Sequence, residues 1–176
     1  MLKKNLIRKK YLEIRKKKYF EIENSFFSPL KKLIKHNFLN KKINLAIYYP
    51  SLFELNVLKI VEDKYIIKKN LLLPRVSKNN FMYFCKWKKN EVLIVNKYGM
   101  LEPIKSKIKI PDLMLVPLLA FDKNKYRLGY GKGFYDRYLD RYLKKFKNII
   151  SIGVAFSFQE YHKLPISNKD VKLDYI

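Results

Sequence analysis

Ten consecutive residues, Arg127-Leu128-Gly129-Tyr130-Gly131-Lys132-Gly133-Phe134-Tyr135-Asp136, hold three of the five glycines in a chain of 176 residues. Glycine lets backbone N–H groups approach phosphate oxygens without a Cβ in the way. Arg127 and Lys132 bring full positive charges to the same stretch, and Asp136 offers the hard carboxylate oxygen that magnesium prefers. The Gly-x-Gly-x-Gly spacing is neither a P-loop nor the dinucleotide fingerprint. Spacing alone therefore leaves two readings: a phosphate cradle, or a tight turn with Asp136 placed at the start of a helix. The scarcity of glycine elsewhere favours the cradle.

Such a loop needs elements to hold it. Before it stands an apolar run, Leu113 to Pro117, that reads as a buried strand; after it the pattern predicts a helix from about Phe134 to Lys145. In open α/β sheets, ligands bind beyond the C-terminal ends of the strands, and a following helix points its positive N-terminus at the same place. Further strands are expected at Ile43–Tyr48, Leu71–Val76, Phe81–Trp87, Glu91–Asn96 and Ile149–Phe158. Pro74 marks the second of these as an edge or irregular strand. Residues 3–37 carry apolar positions near a 3.6 period, divided at Ser28-Pro29 with a second helix at 30–39, and residues 51–68 read as a helix with Ser51 as its N-cap. The expectation is an α/β fold in a single domain spanning 1–176: an open, largely parallel sheet flanked by helices, Rossmann-like in its layering, with an N-terminal helical segment at about 3–37.

Composition excludes several classes. Hydrophobic content of 48% lets the chain fold. One cysteine, Cys85, excludes a disulfide framework and a cysteine-based zinc site. No apolar run approaches the roughly 20 residues that span a bilayer, and the basic start lacks the apolar stretch of a secretory signal. A soluble, cytoplasmic, monomeric protein is the expectation. The formal net charge is +24. Six arginines stand against 33 lysines, and Lys, Asn, Ile, Tyr and Phe, all with A+T-rich codons, are abundant. The charge reads as compositional drift, and no nucleic-acid motif accompanies it. The competing reading is a basic nucleic-acid-binding protein without catalytic activity, its aromatics stacking on bases; a third is a phosphate-binding domain that has lost catalysis.

The ten-residue segment closely resembles the signature of the 5-formyltetrahydrofolate cyclo-ligase family, also called methenyltetrahydrofolate synthetases. The resemblance runs along nearly the whole chain: Lys4-x-x-x-Arg8, Tyr48-Tyr49-Pro50 followed by Glu54, Leu73-Pro74-Arg75-Val76 with Phe84 and Trp87, Gly99-Met100-Leu101-Glu102-Pro103, Asp112 to Pro117 with Ala120-Phe121-Asp122, and Ile152 to Phe156 with Gln159, Leu164-Pro165 and Asp170. Lys169 departs from the pattern, standing where the family commonly has His.

The resemblance implies ATP- and Mg²⁺-dependent conversion of 5-formyltetrahydrofolate to 5,10-methenyltetrahydrofolate. It assigns ATP to Lys4, Arg8 and the stretch Arg127, Leu128, Gly129, Tyr130, Gly131, Lys132, Gly133, Phe134 and Tyr135. The folate falls to Arg8, Tyr49, Glu54, Tyr130, Gly131, Lys132, Gly133 and Phe134, magnesium to Asp136 and Asp170, and catalysis to Arg127 and Lys132. Without it, Lys4 and Arg8 read as one face of a solvated basic helix, Glu54 as a surface residue early in a helix, Asp170 as an exposed carboxylate, and Tyr49 and Trp87 as core packing. His36 and His162 read as surface or packing residues.

Overall fold

The computed structural model describes residues 2–38, 41–66, 68–104, 107–143, 145–146 and 149–176. Leu39, Ile67 and Lys144, each inside or at the end of an expected helix, lie outside the described residues. Among the described residues, three α-helices, α1 (Leu2–Lys18), α2 (Ser28–Phe38) and α3 (Phe134–Leu143), surround ten short strands. The strands are β1 (Asn44–Ala46), β2 (Asn70–Val76), β3 (Met82–Lys86), β4 (Leu93–Val95), β5 (Leu101–Pro103), β6 (Ile108–Lys109), β7 (Leu113–Val116), β8 (Ala120–Phe121), β9 (Arg127–Leu128) and β10 (Ile150–Gly153).

The main sheet has six strands in the order β10-β7-β1-β2-β3-β6. Its first four are mutually parallel, and β3 and β6 add an antiparallel edge. A parallel sheet must be covered on both faces, and the strand sequences alternate accordingly. Leu45, Leu71, Leu73, Leu113 and Leu115 point to the face packed by Phe27 and by Ile34 of α2. Ala46, Leu72, Met114 and Val116 point to the other, against Tyr138 and Leu139 of α3. A third cluster joins Ile7 and Tyr11 of α1 to Leu119, Ala120 and Leu128 of the β8–β9 hairpin. The architecture is thus the expected layered α/β sheet, mostly parallel.

Several local expectations are corrected. The continuous helix expected over 51–68 does not form: Leu52 and Phe53 adopt φ of 47° and 61°, and among the described residues of that span only Val57–Glu62 winds, as a 3-10 helix. Ser51 does not cap; its amide and hydroxyl donate to the Glu54 carboxylate at 2.8 and 3.3 Å. Glu54 is not a surface residue but buried. The N-terminal break comes earlier than Ser28: α1 stops at Lys18, and a 3-10 turn at Asn24–Phe27 leads into α2. The strand expected over 91–96 shortens to β4 and pairs with β5 in a separate two-stranded sheet. The last strand stops at Gly153, and Ser157–Gln159 turns as a 3-10 helix. Pro74 lies on an interior strand, opposite Phe84 of β3. It is tolerated because β1 pairs with β2 only as far as Leu72, so its missing N–H faces no partner on that side.

Candidate active site

The strands β1, β2 and β7 end around one cleft of about 880 Å³, lined among others by Tyr49, Pro74 and Pro117 from their C-terminal ends. All residues of the stretch Arg127 to Asp136 line it, as do Arg8, Glu54 and Asp170. Of the residues that the resemblance assigns to ATP, folate, magnesium or catalysis, all but Lys4 line it. Lys4 reaches the cleft through Asp170, whose Oδ2 accepts from its ammonium at 2.5 Å.

The glycine loop is held from several directions. The hairpin that delivers it turns on Asp122, whose Oδ1 accepts the amides of Asn124 and Tyr126 and whose Oδ2 accepts that of Leu164. Arg127 follows on β9, buried, donating to Val171 O at 2.9 Å and to Asp136 Oδ1 at 2.8 Å. Burial pulls its pKa below the ordinary guanidinium value, and Asp136 opposes that shift. Gly131 and Gly133 have φ of +92° and +66°, conformations that favour glycine. Arg8 seats its guanidinium against the loop, donating to Gly129 O at 2.9 Å. Asp136 falls in the first turn of α3, where a carboxylate is favoured by the helix dipole. The Lys132 ammonium stands 5.7 Å from the Tyr98 ring centroid.

Across the cleft lies a different environment. Glu54 Oε1 accepts from the Tyr130 hydroxyl at 2.9 Å, and its Oε2 accepts from Ser51. Burial raises the Glu54 pKa, opposed by the hydrogen bonds from Ser51 and Tyr130 and by Arg15. The Tyr135 hydroxyl is buried without a hydrogen-bond partner among the described residues. Asp170 shows the reverse balance. Partial burial alone would raise its pKa, but Lys4 and Ser167 outweigh that and hold it below the ordinary value. Trp87 is buried, in agreement with core packing.

Sequence reasoning missed three contributors. Arg15 reads as one more cation on a lysine-rich helix, yet it is buried and donates to the Tyr130 hydroxyl. The turn Asn96 to Met100 closes one side of the cleft. It is drawn in by buried Glu102, which accepts from Val76 N at 3.1 Å and Asn96 Nδ2 at 2.9 Å. The Gly99-to-Pro103 motif signalled this turn without showing that it borders the site. Leu52, on the strained turn after β1, also lines the cleft.

One end of the cleft thus offers backbone amides and cations suited to phosphate, with two carboxylates beside them. The other offers a buried carboxylate acceptor among aromatic rings. That pairing suits a phosphoryl donor placed next to a polar heterocycle.

The model of the 5-formyltetrahydrofolate cyclo-ligase family matches residues 1–176. A 5-formyltetrahydrofolate cyclo-ligase of Haemophilus influenzae is 30% identical over 137 residues, 74% of this chain and 72% of the relative. A 5,10-methenyltetrahydrofolate synthetase structure from Mycoplasma pneumoniae superposes with a TM-score of 0.70 at 28% identity, covering 98% of this chain and 96% of that one. A second, from Aquifex aeolicus, gives 0.69 at 29% identity, covering 99% and 88%. Sequence and fold agree over the whole length: the chain belongs to the 5-formyltetrahydrofolate cyclo-ligase family.

Proposed function

We propose that the cleft binds ATP and 5-formyltetrahydrofolate side by side and catalyses formation of 5,10-methenyltetrahydrofolate, ADP and phosphate. The formyl oxygen attacks the γ-phosphorus, and the bond to the β-phosphate oxygen breaks as ADP leaves. N10 of the folate then attacks the activated formyl carbon, loses its proton, and the oxygen departs with the phosphate. An amide-like oxygen leaves poorly until it is a phosphate ester, which is why ATP is needed.

The chain's own groups contribute position and charge rather than covalent chemistry. Amides of the glycine loop, Arg8 and Lys132 hold the phosphates, and Arg127 keeps the loop closed. As negative charge shifts toward the leaving ADP, Lys132 and Arg127 stabilise it. Glu54 accepts from the donor edge of the pterin, and Tyr49, Tyr130 and Phe134 pack around it. Lys4 steadies Asp170 beside the phosphates.

Among the described residues, no group of three or more acidic, His or Cys side chains could hold a metal alone. Asp136 and Asp170 nevertheless suit magnesium, which is commonly held by one or two carboxylates with substrate phosphates completing its shell. Each uses a single oxygen for its protein partners: Oδ1 of Asp136 for Arg127 and Val171, Oδ2 of Asp170 for Lys4 and Ser167. When bound there, magnesium would neutralise charge on the phosphate oxygens.

The observation that carries this reading is the meeting of the glycine loop and buried Glu54 in one cleft, in a chain of this family. It is tested by following methenyltetrahydrofolate absorbance in the presence of 5-formyltetrahydrofolate, ATP and Mg²⁺.

A further inference from the structure

Arg15 has no part in the chemistry above, yet it is among the most enclosed charged groups in the protein, at 1% exposure. Its Nη1 donates to Leu118 O at 3.1 Å, and its Nη2 to Leu52 O at 2.7 Å and to the Tyr130 hydroxyl. Its Nε is buried without a hydrogen-bond partner among the described residues. None of the ion pairs among the described residues includes it. A guanidinium is permanently charged, and enclosing one without a paired carboxylate is costly. An apolar side chain would fill the same space at less cost, so packing alone does not account for it.

The chemistry of the donors fixes what Arg15 does. A guanidinium only donates, so the Tyr130 oxygen must accept from it. That leaves the single hydroxyl proton for Glu54 Oε1, 2.9 Å away. The chain of bonds therefore runs one way, from Arg15 through Tyr130 to Glu54, and favours a carboxylate ready to accept. The Arg15 guanidinium carbon also lies 5.5 Å from the Tyr130 ring centroid. The titratable groups that act on Glu54 or feel its charge are Arg15 on α1, Tyr48 after β1, Tyr130 in the loop and Tyr135 on α3. Arg15 is the cation in that set.

Helical spacing divides the work. Arg8 and Arg15 lie seven residues apart, on one face of α1. Arg8 bonds the loop at Gly129 O, on the phosphate side; Arg15 bonds the next residue, on the Glu54 side. We propose that Arg15 is a positioning residue for the folate substrate, acting through the Tyr130 hydroxyl to hold Glu54 as the acceptor for the pterin. This rests on the assignment of Glu54 to folate binding.

The test is a double-mutant cycle with separate KM values for 5-formyltetrahydrofolate and ATP. Arg15→Met and Tyr130→Phe should each raise the folate KM about tenfold, the loss expected for a charge-assisted hydrogen bond. The ATP KM should stay within about twofold in both. Because the two residues act in series, the double variant should be no worse than the worse single one. Arg15→Lys, which retains a charged donor, should recover much of the loss. Tyr130 has a part-exposed ring and keeps it in the Phe variant, so that arm stands even if Arg15→Met fails to fold. Additive effects, an equal rise in ATP KM, or an unchanged folate KM in Tyr130→Phe would overturn the proposal. Absence of turnover by the wild-type protein would instead overturn the site assignment beneath it.

Discussion

Arg127 and Asp136 are nine residues apart and meet at 2.8 Å, so the glycine loop is closed by an ion pair between its own two ends. The pair is asymmetric. The Arg127 side chain is buried at 3% exposure, while that of Asp136 is 27% exposed and lines the cleft. Arg127 also holds Val171 O, tying the loop to the chain segment that follows Asp170.

Arg127→Ala should therefore lower kcat/KM by about 100-fold or more, the scale of losing one charge-stabilising donor. Arg127→Lys keeps the charge but cannot fork to both Val171 and Asp136, and should fall between. Steady-state kinetics on the two variants check this ordering.

The glycines should differ in their tolerance of a side chain. A Cβ on Gly131 would sit 3.1 Å from Arg8 Cζ, at a φ of +92°. A Cβ on Gly129 would meet nothing within 4 Å. Gly131→Ala should cost about 1 kcal/mol or more in urea unfolding, and Gly129→Ala less than about 0.5 kcal/mol.

These contrasts show how far the sequence could be read. The loop, the buried strands and the order of the elements were legible because they are local signals: glycine spacing, continuous apolar runs, helical periodicity. Glu54 was not, taken by itself. Apolar spacing over 51–68 argued for a helix, but the positive φ at Leu52 and Phe53 folds the chain back and buries the carboxylate. Only the family resemblance singled it out. Arg15 was missed because its partners, Leu52, Leu118 and Tyr130, are 37, 103 and 115 residues away. A lysine-rich helix gives no sign of which of its cations is enclosed. Pro74 misled for a related reason, since whether a strand position is an edge depends on how far its neighbour extends.

The pH dependence of folate use should carry the mark of Glu54. Burial raises its pKa, so protonation removes the acceptor at a higher pH than it would for an exposed glutamate. The acid limb of kcat/KM for 5-formyltetrahydrofolate should accordingly be displaced upward from the ordinary glutamate value, with activity falling as pH decreases through it. Glu54→Gln should lower kcat/KM at neutral pH and abolish that limb. A pH–rate profile of both proteins measures it.

Chelation should stop turnover, and added Mg²⁺ should restore it. Asp136→Asn and Asp170→Asn should each raise the Mg²⁺ concentration needed for half-maximal rate, if these two carboxylates hold magnesium as proposed, because each substitution removes a negative charge from the proposed site. Asp136→Asn should also loosen the loop, since Arg127 loses its charged partner. Titration of rate against free Mg²⁺ separates the wild type from both variants.

The glycine loop and Glu54 are proposed to serve one reaction in one cleft. The direct measurement is methenyltetrahydrofolate absorbance on mixing the purified protein with 5-formyltetrahydrofolate, Mg²⁺ and ATP. Absorbance should grow only with ATP present, with one ADP formed per product, and should fall sharply in both Lys132→Ala and Glu54→Gln. A folded wild-type protein that forms no product, or full activity in both variants, would contradict it.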